Sequence, residues 1–128
     1  KINKNSSILI VGSSGELQKR KIGKIIDTYD VVCRINGNGN YAILNEKNKK
    51  IVGTKKNIWF CLAKGSFQAN IPSLIKQYDI VFVNDKQTYQ QNILQFPNLR
   101  MFPFEINQNC KNTLYSFNNF FCVEHKFT

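Results

Sequence analysis

The chain has 128 residues, 42% hydrophobic and 20% charged, a size that suits one compact domain or part of a larger one and excludes a multidomain machine. No apolar run approaches the roughly 20 residues that span a bilayer, and the first residue is Lys1 rather than methionine, so the segment itself is expected to be soluble and any anchor or signal peptide to lie outside it. Eighteen Lys and Arg against eight Asp and Glu leave a net charge of +10, which suits an anionic partner such as a nucleotide, a nucleic acid or an acidic membrane surface. Fifteen of the cations are lysines and 17 residues are asparagines, a bias that an AT-rich genome produces without selection for binding, so charge alone names no partner.

In chain order, Ser7 to Val11 is a β-branched run that ends at Gly12-Ser13-Ser14-Gly15, the pattern of a buried strand feeding a glycine turn. Ile22, Ile25 and Ile26 share helical spacing, and Tyr29 to Ile35 reads as a second strand. Gly37 to Asn40 is a loop, and the polar stretch Asn45 to Lys50 is expected on the surface without a function. Asn57 to Ala63 is nearly continuous apolar sequence, which suits a strand in a parallel sheet covered by helices, and Gly65 ends it.

Pro72 opens a short helix that stops near Gln77, and Tyr78 to Val83 is a fourth strand. Thr88 to Gln95 is expected to be helical, and Leu99 to Phe102 to be a fifth strand stopped by Pro103. After Asn107 the chain is rich in Asn and Phe, and Phe117, Phe120, Phe121 and Phe127 read as a helix or loop packed on the core. Strands alternating with short helices imply an α/β, Rossmann-like, mostly parallel sheet with right-handed crossovers. Residues 1–128 are taken as a single partial domain.

Cys33, Cys61, Cys110 and Cys122 form no CxxC pair, so neither a zinc ribbon nor a thioredoxin motif is present. Cys33 and Cys61 lie in apolar runs and read as buried free thiols, whereas Cys110 and Cys122 would pair only in an oxidising compartment. One histidine and few carboxylates make a metal cage improbable, and no cofactor is expected.

Ligands of open α/β sheets sit beyond the carboxyl ends of the strands, where the first strand delivers Gly12, Ser13, Ser14 and Gly15 and the second ends at Arg34-Ile35-Asn36. Glycines let the backbone approach an anion, and turn amides and serine hydroxyls donate to phosphate oxygens. The turn is neither GxGxxG nor a P-loop, and taken alone it is better read as a purely structural turn.

The longer string VGSSGELQKRKIGKIIDTYDVVCRIN resembles the large sialyl motif of the eukaryotic-type sialyltransferases, which runs approximately VGNSGNL, a gap, G, two residues, IDxHDxVxRMN. The matching positions are Val11, Gly12, Ser14, Gly15, Leu17, Gly23, Ile26, Asp27, Asp30, Val32, Arg34 and Asn36. Ile51-Val52-Gly53-Thr54-Lys55 is similar to the family's DVGxKTT, and the resemblance covers about residues 8 to 57. It implies a GT-A-like sheet and transfer of sialic acid from CMP-sialic acid to a glycan hydroxyl, with inversion and without a metal ion. Residues 1–128 would be the donor-nucleotide-binding half of such a domain, truncated before the rest of it.

By position, Gly12, Ser13, Ser14, Gly15 and Asn36 would contact the phosphate and ribose of CMP, while Arg34 and Asp30 would brace the loops; Arg34 also reads as an ordinary surface ion-pair partner. Ser13 stands where the family has asparagine and Tyr29 where it has histidine. Ile8 stands at the position of the family's cysteine, so the usual disulfide cannot form in its register. The family's small motif and its catalytic histidine do not occur in these residues, and His125, three residues from the end, has no recognisable partner, so no catalytic residue is assigned. The partners implied are a nucleotide-sugar donor and a glycan acceptor, with no nucleic acid and with membrane contact only through an anchor outside the segment; a eukaryotic source would imply the Golgi. A non-catalytic nucleotide-binding remnant is the alternative, and a basic nucleic-acid binder is favoured by charge alone.

Overall fold

A computed structural model of the chain describes residues 2–12, 15–36, 44–62, 67 and 72–102. Five strands, β1 (Ile8–Val11), β2 (Val31–Ile35), β3 (Ile58–Cys61), β4 (Ile80–Val83) and β5 (Leu99–Met101), form one sheet in the order β1-β2-β3-β4-β5. Every pairing is parallel. The crossovers carry a 3-10 turn (Gly15–Lys19) followed by α1 (Gly23–Ile26), then α2 (Lys49–Val52), α3 (Pro72–Lys76) and α4 (Lys86–Asn92). The expected α/β, Rossmann-like sheet with short helices is present.

Register explains how the core divides. Val11 is opposite Arg34, Arg34 opposite Trp59, Trp59 opposite Val81 and Val81 opposite Leu99, so these residues form one row on one face. That face carries the helices: Val11 and Val32 pack with Ile26 of α1 and Val52 of α2, while Trp59, Val81 and Leu99 pack with Leu74 and Ile75 of α3. A sheet wound in sequential order with crossovers of one hand places its helices on one side, which is what these contacts describe. On the other face Val31, Cys33 and Ile58 are buried beneath Phe60, Ile80 and Phe82. The Phe60 and Phe82 rings stack at 5.3 Å, and Phe102 meets both edge-on.

Strand boundaries follow from side chains that interrupt the ladder. β2 begins at Val31 rather than at Tyr29 because Asp30 is engaged with Ser7: its carboxylate accepts from the Ser7 amide at 2.8 Å and its amide donates to the Ser7 hydroxyl at 2.9 Å. Asn57 does the same for β3, accepting from the Val32 amide on Oδ1 at 2.9 Å. Asn98 leads into β5 by donating to the carbonyls of Ile75 and Tyr78, both at 3.0 Å.

Helix α4 starts at Lys86, two residues before the position expected from periodicity, because Asp85 caps it and accepts from the Thr88 amide at 2.9 Å. The polar stretch at 45–50 lies at the surface as expected, but its last two residues open α2, a helix that apolar spacing does not announce. Gly37 to Asn40, Gly65, and the segment after Pro103 with Cys110, Cys122 and its phenylalanines lie outside the described residues.

Helices α1 and α2 touch backbone to backbone. A Cβ at Gly23 would stand 2.3 Å from the Lys49 carbonyl oxygen and 2.7 Å from the Gly53 nitrogen, both fixed main-chain atoms. Gly23→Ala is therefore expected to force the two helices apart and to destabilise the fold by about 3 kcal/mol, at the upper end of overpacking costs. A melting temperature within a degree of the parent protein's would contradict this contact.

Candidate functional site at the carboxyl edge of the sheet

Because all five strands are parallel, their carboxyl ends share one edge, and the pairing of Val11 with Arg34 brings Gly12 beside the Ile35-Asn36 end of β2. A methyl group at Gly12 would meet no atom within 4 Å, so packing does not require glycine there and the backbone is open to approach. Gly15 opens the 3-10 turn. Ser13 and Ser14 lie outside the described residues.

Asn36 leaves the strand in a left-handed conformation, φ 52°, which asparagine tolerates better than most residues. Three groups of the neighbouring strand and its exit hold it there. The Asn36 amide donates to the Phe60 carbonyl at 2.8 Å, its own carbonyl accepts from the Trp59 indole Nε1 at 2.9 Å, and its Oδ1 accepts from the Leu62 amide at 3.0 Å. The structure thus brings Gly12 and Asn36 to one edge.

Three other polar residues that match the motif, Arg34, Asp27 and Asp30, are engaged in hydrogen bonds of the scaffold. Arg34 is fully buried; its Nε donates to the Lys55 carbonyl and its Nη2 to the Val52 carbonyl, both at 2.9 Å. The reading of Arg34 as a surface ion-pair partner is therefore wrong, because its place in the helix-covered row of the sheet removes it from water. Burial lowers its affinity for the proton, and the neighbouring Tyr78 and Asp27 oppose that shift. The two carbonyls accept from the guanidinium in place of the water that burial removes.

Asp27, at the end of α1, grips the turn after α2. Its carboxylate accepts from the Thr54 amide at 2.9 Å, the Thr54 hydroxyl at 2.9 Å and the Lys55 amide at 3.1 Å. Gly53 precedes that turn with φ 78°, and a Cβ there would fall 2.4 Å from Asp27 Oδ1. Partial burial pushes the Asp27 carboxyl up, but the Thr54 and Lys55 hydrogen bonds and the charge of Arg34 outweigh it, so the net shift is downward. Asp30 is shifted downward too, first by the Ser7 amide. Lys55 Nζ donates to the Tyr29 carbonyl. Asp30 and Arg34 are loop braces, as their positions in the motif implied.

Cys33 and Cys61 are buried free thiols, and burial pushes Cys61 up to about 12, which leaves it unreactive. Two cavities lie away from Gly12 and Asn36. One, of about 390 Å³, is lined by Pro72 and Ile75 of α3, Gln91 of α4 and Phe96 beyond it. The other, of about 360 Å³, is lined by Asp30, Asn57 and Asp79 at the amino edge of the sheet. Among the described residues no cluster of three or more His, Cys, Asp or Glu could hold a metal ion, and no helix is long and apolar enough to cross a membrane. His125 lies outside the described residues.

Trp59 and Leu62, which fasten Asn36, carry no signal in a one-dimensional motif, since their contacts with it cross 23 and 26 residues. The sequence model described as glycosyltransferase family 29 (sialyltransferase) matches residues 4–114, a span that includes every described strand and helix. No curated protein matches the chain. No solved structure matches it either.

A carboxylate whose folded-state affinity for protons is depressed stabilises the fold above its unfolded pKa, and this contribution is lost as pH falls through the lower folded value. Asp27 starts from an ordinary value of 3.8. The difference in melting temperature between the parent protein and Asp27→Asn is expected to be full at pH 6 and to shrink once pH drops below about 4. Thermal melts from pH 6 to pH 2.5 check this; Asp30 is common to both proteins and cancels, and a difference independent of pH would contradict the assignment.

Proposed function

The chain belongs to glycosyltransferase family 29, the sialyltransferase family, and from that membership we propose that it binds CMP-sialic acid at the carboxyl edge of its sheet for transfer of the sugar to a glycan hydroxyl. The observation that carries the reading is the meeting of Gly12 and Asn36 across the parallel β1–β2 pair. Gly12 to Gly15 and Asn36 are the donor contacts in this reading.

The chemistry suits such an edge. In an inverting transfer the acceptor oxygen bonds to the anomeric carbon as that carbon's bond to the CMP phosphate oxygen breaks, and the hydroxyl proton passes to a base. Negative charge grows on the departing phosphate, and the backbone amides of residues 12–15, with the Asn36 side chain, are the donors that would stabilise it. The +10 net charge draws the anionic donor toward the protein. This stabilisation of the leaving group uses amide and hydroxyl donors and calls for no metal ion. If the source is eukaryotic, the same reading puts the domain in the lumen of the Golgi, with any membrane contact made outside residues 1–128.

CMP, the leaving group, is the probe. Isothermal titration of the 128-residue chain is expected to show CMP binding, weakened about tenfold by Asn36→Ala, the equivalent of one hydrogen bond to a charged group. Melting temperatures measured alongside separate lost binding from lost folding. Equal affinity in a folded Asn36→Ala protein would contradict the role of that side chain, and no binding by the parent chain would contradict the reading of the edge.

A further inference from the structure

We propose that Trp59 is a positioning residue of the donor edge: its indole N–H fixes the Asn36 carbonyl and thereby the left-handed turn that presents the Asn36 side chain. The inference rests on the reading of Asn36 as a donor contact and deepens it.

Trp59 is fully buried in the middle of the sheet, on the row that faces the helices. Its ring lies 5.4 Å from that of Tyr78 and packs among Val81, Leu99 and Ile75, so it is held from several sides. An indole has one polar atom, and a buried N–H requires an acceptor. Here the acceptor is the Asn36 carbonyl, at 2.9 Å.

A regular strand residue at position 36 would keep an extended backbone and continue the β2–β3 ladder. Asn36 instead adopts φ 52°, and the carbonyl that this turn swings out of the ladder is the one Trp59 binds. Phe60 and Leu62 fasten the amide and Oδ1 of the same residue, so the end of β3 clamps Asn36 at three points. Phenylalanine or leucine would serve the apolar packing at position 59 but would supply no N–H. The clamp gives the indole N–H a role at this place that apolar packing does not supply.

The test compares CMP binding by the 128-residue chain carrying Trp59→Phe, Asn36→Gly and both together. Asn36→Gly keeps a left-handed turn without strain while deleting the side chain. Trp59→Phe is expected to weaken CMP binding by about three- to tenfold, the effect of one hydrogen bond, and to cause no further loss when Asn36 is already glycine. A residue that merely supports the fold would weaken binding equally in both backgrounds, and that result overturns the proposal. So does a Trp59→Phe protein that binds CMP like the parent while Asn36→Ala is weakened, an outcome that leaves the reading of Asn36 standing. Failure of the parent chain to bind CMP removes that reading and the inference with it.

Should Trp59→Phe not fold, the chain's one tryptophan supplies the second measurement, because it gives a single indole N–H resonance. That resonance is expected to shift when CMP is added to the parent chain and to stay still in Asn36→Gly. A resonance that CMP leaves unmoved in the parent chain overturns the proposal.

Discussion

A guanidinium with no exposure to water cannot remain unsatisfied, and the arrangement around Arg34 follows from that requirement. Its side chain reaches from the centre of β2 to the carbonyls of Val52 and Lys55, which fixes where α2 ends and where the chain turns into β3. Asp27 closes the same assembly from α1 by binding the Thr54 and Lys55 amides, and Gly23 and Gly53 leave the room that brings the two helices into backbone contact. The cation, the carboxylate and the two glycines form one unit, each intelligible only with the others in place. Of the polar residues that match the sialyl motif, Asp27, Asp30 and Arg34 therefore hold the scaffold, and Asn36 stands with Gly12 at its edge.

The strands were legible in the sequence because each is a short apolar run bounded by a turn, and all five lie within the expected ranges. What was not legible depends in part on partners distant along the chain. Helix α2 is hidden because it is one turn long: its first half lies in the polar stretch, and its two apolar residues, Ile51 and Val52, are too few to show a helical stripe. Arg34 was ambiguous because a charged residue inside an apolar run looks the same whether it reaches solvent or a carbonyl 18 residues away. The start of α4 was missed although its signal, Asp85 three residues before Thr88, is local.

The asparagines illustrate the limit of composition. A Lys/Asn bias suggests drift, yet Asn36, Asn57 and Asn98 each bind the backbone of a neighbouring element at the end or start of a strand. Composition describes how frequent such residues are and not which of them are structural. The candidate site shows the same division. The placement of Gly12 and Asn36 at one edge was legible through the motif, whereas the clamp from β3 required the register of two strands and the direction of one indole ring.

The two edges of the sheet differ in the charge they offer a nucleotide. The amino edge has a cavity lined by Asp30 and Asp79, whose carboxylates would repel a phosphate, and the carboxyl edge has Gly12 and Asn36. The most direct measurement is the change in backbone amide chemical shifts as CMP is titrated into the 128-residue chain. The largest changes are predicted at Gly12 to Gly15 and Asn36, with Asp30, Asn57 and Asp79 still. Changes centred on the Asp30–Asp79 cavity, or on the cavity between α3 and α4, would contradict the placement of the donor at the carboxyl edge.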